Sequence, residues 1–133
     1  MSATAVASSR TLAEFVAHLR YEDLAASVIR RTEELLLGWV GPALAGKGAR
    51  PVESIARFAR LMAGGPGRAQ LLINRERLSP YLAAMVNAAA SHFIEQDDVH
   101  NASVFHPAAV VFPAVLAVAE ELGVKGRVHP ALC

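Results

Sequence analysis

An all-α fold of about five helices is predicted by three features of this sequence. Alanine, the strongest helix former, makes up about a fifth of the 133 residues. Apolar residues recur at helical spacing in several segments, and β-branched runs are few. Proline and glycine fall mainly where helices would begin and end.

Residues 1–10 are mostly small and polar and are expected to form a flexible N-terminus. Thr11 is placed to cap a short first helix, in which Leu12, Phe15, Val16 and Leu19 recur at i, i+3, i+4 and i+7. Tyr21-Glu22-Asp23 interrupts that pattern. A longer second helix is expected from about Leu24, with Val28, Leu35, Leu36, Trp39 and Val40 on its apolar side. Pro42 should end or kink it, because proline lacks the N–H that the helix needs. After a loop over 46–50, Pro51 is suited to the first turn of a third helix carrying Val52, Ile55, Ala56, Ala59 and Met62. Gly64-Gly65-Pro66-Gly67 stops that helix, and the apolar run 69–74 could be extended. Ser79-Pro80 reads as the cap and first residue of a fourth helix with Leu82, Met85, Val86, Ala89, Ala90 and Phe93. Met62 and Met85 fit core positions, and Trp39 fits a core or an interface. Residues 95–105 have turn composition. A fifth helix opens at Pro107, is bent at Pro113, and closes at Gly123.

Charge and hydropathy exclude several classes. The 13 Lys+Arg and 12 Asp+Glu nearly cancel, which argues against a nucleic-acid-coating polycation. The longest apolar run, 108–119, contains Pro113 and is too short to span a membrane. Residues 1–9 lack the basic start and apolar core of a secretory signal, so a cytoplasmic protein is expected. The single cysteine, Cys133, permits no internal disulfide and no cysteine-based zinc site. The mean hydropathy of +0.32 is high for a short chain. It implies either a tight alanine-rich core or faces that await a partner.

The chemistry concentrates in one place. Eleven of the 13 Lys+Arg precede Ser79, and none lies between Ser79 and Val124. Residues 92–106 hold His92, Glu95, Asp97, Asp98, His100 and His106. Solvated loop acids beside a surface histidine are one reading of this cluster. A divalent-metal site from Asp97 or Asp98 with His100 and His106 is a second, although the spacing matches no signature such as HExxH. General acid–base catalysis by a carboxylate and a histidine is a third. Pro107 places His106 near a helix N-terminus, where free N–H groups favour an anionic ligand.

The ordered string His92-Phe93-Ile94-Glu95-Gln96-Asp97-Asp98-Val99-His100, continuing through Ser103 to His106-Pro107 and 108–114, resembles the MmgE/PrpD family. Leu12–Val16, Tyr21–Leu24, Leu35–Leu37, Ala43–Gly46 and Leu78–Pro80 agree with it. The resemblance runs from about Thr11 to Arg127 and implies a partial helical domain over 11–124, followed by a divergent tail over 125–133. It implies a metal-free, cofactor-free lyase that dehydrates or decarboxylates a polycarboxylate such as 2-methylcitrate or cis-aconitate, commonly as a homodimer. Glu95, Asp97 and His106 then take the catalytic positions, with Asp98, His100 and Ser103 binding substrate. Glu95 replaces the family's usual aspartate, Gln96 an aromatic residue and Val99 a threonine. Full family members are several times longer, so a truncated chain with an incomplete site is expected. The alternative is a non-enzymatic helical dimerisation module or gene remnant. Neither a nucleic acid nor a membrane is expected as a partner. Lys125 and Arg127 are the nearest cations, and His129-Pro130 reads as an incidental tail.

Overall fold

The computed structural model describes residues 3–124. Five α-helices run in chain order: α1 Ala3–His18, α2 Ala26–Ala45, α3 Arg50–Met62, α4 Pro80–Phe93 and α5 Pro107–Leu122. The fold is mostly helical, as the alanine content and spacing predict. The run 69–74, expected to be extended, contributes one strand of a small hairpin whose partner was not expected. Ala69–Gln70 (β1) pairs antiparallel with Arg77–Leu78 (β2), Ala69 opposite Leu78 and Gln70 opposite Arg77. No helix among the described residues is long and apolar enough to cross a membrane. The tail, with Lys125, Arg127, His129-Pro130 and Cys133, lies outside the described residues.

Several boundaries differ from expectation for local reasons. Helix α1 already begins at Ala3, so Thr11 is an interior residue and not its cap. Leu12 and Phe15 remain exposed. Tyr21–Asp23 forms one 3-10 turn, closed by the Asp23 carboxylate accepting from the Arg20 N–H at 3.0 Å. That turn delays α2 from Leu24 to Ala26. Pro42 does not end α2, which continues to Ala45. It stands in the last turn, and its own carbonyl still accepts from the Gly46 N–H at 2.9 Å. Gly46 then lets α2 meet α4 closely, since a Cβ there would fall 2.5 Å from the Ala90 carbonyl oxygen.

The core lies where α3, the hairpin, α4 and α5 meet. Val52, Ala56, Ala59, Leu71, Ile73, Leu78, Val86, Ala90 and Ala117 fill it. Met62 is exposed, contrary to its expected core position, whereas Met85 packs partly buried against the cluster. Trp39 is fully buried, with its ring centroid 5.9 Å from that of Phe112. Many of the core residues are alanines, whose small side chains let helix backbones approach closely.

The hairpin is held from α4 and α5. The buried Asn87 side chain accepts from the Leu72 N–H and donates to the Gln70 carbonyl, both at 2.9 Å. Glu120 accepts from the Gln70 N–H at 2.6 Å. Backbone groups that two-residue strands leave unpaired are thus satisfied by side chains. These contacts fix α4 against α5, the two helices that flank the titratable cluster.

Candidate functional site

The chain turns sharply after α4. Ile94 is the helix C-cap, and Glu95 adopts a positive φ of 53° that reverses the backbone. A short loop then returns to α5, pinned where the His100 N–H donates to the Phe105 carbonyl at 2.7 Å. Val104, with φ 49°, makes the tight turn in between. The loop therefore lies between the C-terminus of α4 and the N-terminus of α5.

Asp97 is the centre of what this turn assembles. Its side chain is fully buried (0% exposed), although its backbone is partly open to solvent. His92, in the last turn of α4, donates Nδ1–H to Asp97 Oδ2 at 3.0 Å. The Nδ1 of His106, the N-cap residue of α5, lies 3.4 Å from the same oxygen. The two imidazoles stand edge to face, with centroids 4.9 Å apart. Asp97 Oδ1 and His106 Nδ1 are buried with no hydrogen-bond partner among the described residues. Burying a carboxylate is unfavourable unless donors or positive charge compensate it, and here two imidazoles face it. An open groove of about 390 Å³ runs past His92 and His106, walled by Ala88, Val104, Phe105 and Ala109.

The neighbouring acid does something else. Asp98 Oδ1 accepts from the Ala108 N–H at 2.9 Å, capping α5. Pro107 has no N–H to offer, so Ala108 carries the first donor of this helix. The anion expected at the α5 N-terminus is therefore supplied by the protein itself. His106 is the N-cap residue but makes no side-chain cap bond.

Of the residues expected from sequence, Asp97 and His106 are brought together. Glu95 is exposed at the helix end and stands outside their cluster. His100 Nδ1 and Ser103 Oγ pair with each other at 2.7 Å in the loop. His92, which the sequence offers as a surface histidine, is exposed yet also faces Asp97 together with His106. Its signal was the five-residue step to Asp97, which spans one helix end and a single reversal.

Comparison with known proteins bears on the family. Residues 10–129 match the family model of the MmgE/PrpD N-terminal domain. A cis-aconitate decarboxylase of Aspergillus terreus is 32% identical over 117 residues, which cover 87% of this chain and 24% of that protein. The protein of that name from A. terreus strain NIH 2624 is 33% identical over 130 residues, covering 95% and 26%. The cis-aconitate decarboxylase of Mus musculus is 25% identical over 114 residues, covering 86% and 23%. The chain spans about a quarter of the length of these curated relatives.

Proposed function

The chain belongs to the MmgE/PrpD family, and on that premise we propose that it forms the N-terminal helical portion of a lyase acting on a polycarboxylate. The observation that carries this reading is the buried Asp97 carboxylate facing His92 and His106 beside an open groove. Cis-aconitate is the first substrate to test, because the curated relatives carry that name. 2-Methylcitrate is the second.

Both reactions need a group that gives or takes a proton at carbon. Decarboxylation breaks a C–C bond, and the electron pair left behind must be protonated. Dehydration removes a proton from carbon as the hydroxyl leaves. His106 is the candidate for that exchange, because its ring borders the groove while Asp97 faces its Nδ1. Glu95, two residues before Asp97 and exposed, is a second carboxylate able to exchange a proton. His100 and Ser103 are the candidates for hydrogen bonds to substrate, and Asp98 positions His106 by holding the start of α5. The substrate's charges call for cations, and 79–124 contains no Lys or Arg. The reading therefore includes an incomplete site, whose cationic groups come from outside 79–124.

The test is a chimera in which this chain replaces the matching segment of the A. terreus relative. The chain alone should not turn over cis-aconitate, and the chimera should. His106→Ala in the chimera should lower kcat by about 10²–10⁴-fold, the usual worth of a general acid or base. A chimera that keeps its rate after His106→Ala refutes the role given to His106.

Exposed apolar residues favour association as a second reading. Leu37 and Leu44 on α2, and Val118 and Leu122 on α5, are exposed. A homodimer in sedimentation analysis, together with an inactive chimera, would favour a non-enzymatic dimerisation module.

A further inference from the structure

We propose that a groove along α3 binds a small oxyanion with two separated charged groups, such as a diphosphate or a tricarboxylate, between Arg50 and Arg57. This open groove of about 390 Å³ is lined by Gly48, Arg50, Glu53, Ser54, Arg57 and Arg60. It shares no lining residue with the groove at His92 and His106. Val52, Ala56 and Ala59 of the same helix are buried in the core, which fixes the side chains that α3 turns outward.

The pairing of the cations singles out Arg50 and Arg57. Arg60 is already held by Glu76 at 2.7 Å. Neither Arg50 nor Arg57 has a side-chain hydrogen bond or ion pair among the described residues. They stand seven residues apart on one helix face, a rise of about 10.5 Å along the axis. Ser54, between them, is small, and its hydroxyl turns back to donate to the Arg50 carbonyl at 2.9 Å. The space between the two guanidiniums is thus open to a ligand. A monovalent ion cannot span it, whereas an anion charged at both ends can take paired N–H donors from one guanidinium at each.

The charge around the groove has the matching sign. The whole chain is nearly neutral, yet residues 47–77 hold seven of its 13 Lys+Arg and two of its 12 Asp+Glu. Those two acids are Glu76, on Arg60, and Glu53, which lines the groove and accepts from the Gly48 N–H at 3.3 Å. Glu53 opposes an incoming anion, so removing its charge must tighten binding.

The experiment is calorimetric titration of the chain at low ionic strength with sodium pyrophosphate and, separately, with citrate. One anion per chain is expected, and the tighter of the two tells whether phosphate or carboxylate is the preferred group. Arg50→Ala and Arg57→Ala should each weaken binding about 5–10-fold, between the worth of an exposed ion pair and that of a charge-assisted hydrogen bond. Glu53→Gln should strengthen it, and Arg30→Ala, on α2, should leave it unchanged. All four side chains are exposed, so the variants should fold, as circular dichroism checks. Absence of saturable binding by either anion, or binding that Arg30→Ala weakens as much as Arg57→Ala, overturns the site. So does citrate binding that His106→Ala abolishes and Arg57→Ala spares, since that anion would occupy the other groove. Activity does not enter this test, so its failure is separable from failure of the lyase reading.

Discussion

Asp98→Ala should loosen the start of α5 and displace His106. The Asp98 carboxylate accepts from the Ala108 N–H at 2.9 Å, and Pro107 leaves that amide as the helix's first donor. Losing an N-terminal cap costs about 1 kcal/mol, within a range of about 0.5–2. Negative charge at a helix N-terminus contributes a further 0.3–1 kcal/mol or about that. The alanine variant should therefore lose about 1–2 kcal/mol, and Asp98→Asn, which keeps the acceptor but not the charge, only about 0.3–1 kcal/mol. Urea unfolding followed by far-ultraviolet circular dichroism measures both, provided the slopes with denaturant agree. Hydrogen exchange at the Ala108 amide localises the effect. An alanine variant as stable as the parent, or an asparagine variant as damaged as the alanine one, would refute the capping role.

Asn87→Leu strands the Leu72 N–H and the Gln70 carbonyl. At about 1–3 kcal/mol for each unsatisfied group, a loss of about 2–4 kcal/mol is expected in urea unfolding. Gly67→Ala drives a Cβ into the Leu78 carbonyl and the Ser79 nitrogen, whereas Gly64→Ala meets open space. Thermal melting should show a loss of about 1–3 kcal/mol for the first, by overpacking, and almost none for the second. Arg60→Ala removes a 2.7 Å pair with Glu76, but both side chains are about one-third exposed. Its effect should stay below about 1 kcal/mol and shrink further in high salt.

The helices were legible because their signals are local. Pro51, Pro80 and Pro107 stand in the first turns of α3, α4 and α5, and Gly123 closes α5 in a left-handed conformation with φ 64°. The extended run over 69–74 was legible, but its pairing with Arg77–Leu78 was not, because what stabilises the hairpin is remote. Asn87 reaches it from 15 and 17 residues away, and Glu120 from 50. Periodicity also overstates burial at the rim of a helix. Met62 and Phe93 fit the apolar spacing, yet both ended exposed beyond the edge of the core. Pro42 obeyed a rule of helix interiors only weakly, because it falls in a last turn where few bonds remain to be lost.

At the site, composition located the cluster but could not rank its acids. The ranking depends on the backbone reversal at Glu95, which no local propensity favours for a residue with a Cβ. After that reversal, consecutive carboxylates serve different helices. Asp97 faces the histidines, while Asp98 reaches the α5 backbone. Each non-glycine residue with left-handed φ costs about 1–2 kcal/mol, and the loop contains two, Glu95 and Val104. That strain must be offset by what the loop makes: the Asp98 cap, the His100–Phe105 backbone bond and the His92–Asp97 contact. The first two would hold the loop wherever Asp97 pointed. Only the third places a carboxylate out of water against imidazole, and it does so with an oxygen to spare. The cap and the backbone bond account for the loop without Asp97, so its buried carboxylate is the feature they leave unexplained, and it is the observation on which the proposed role of Asp97 and the histidines rests.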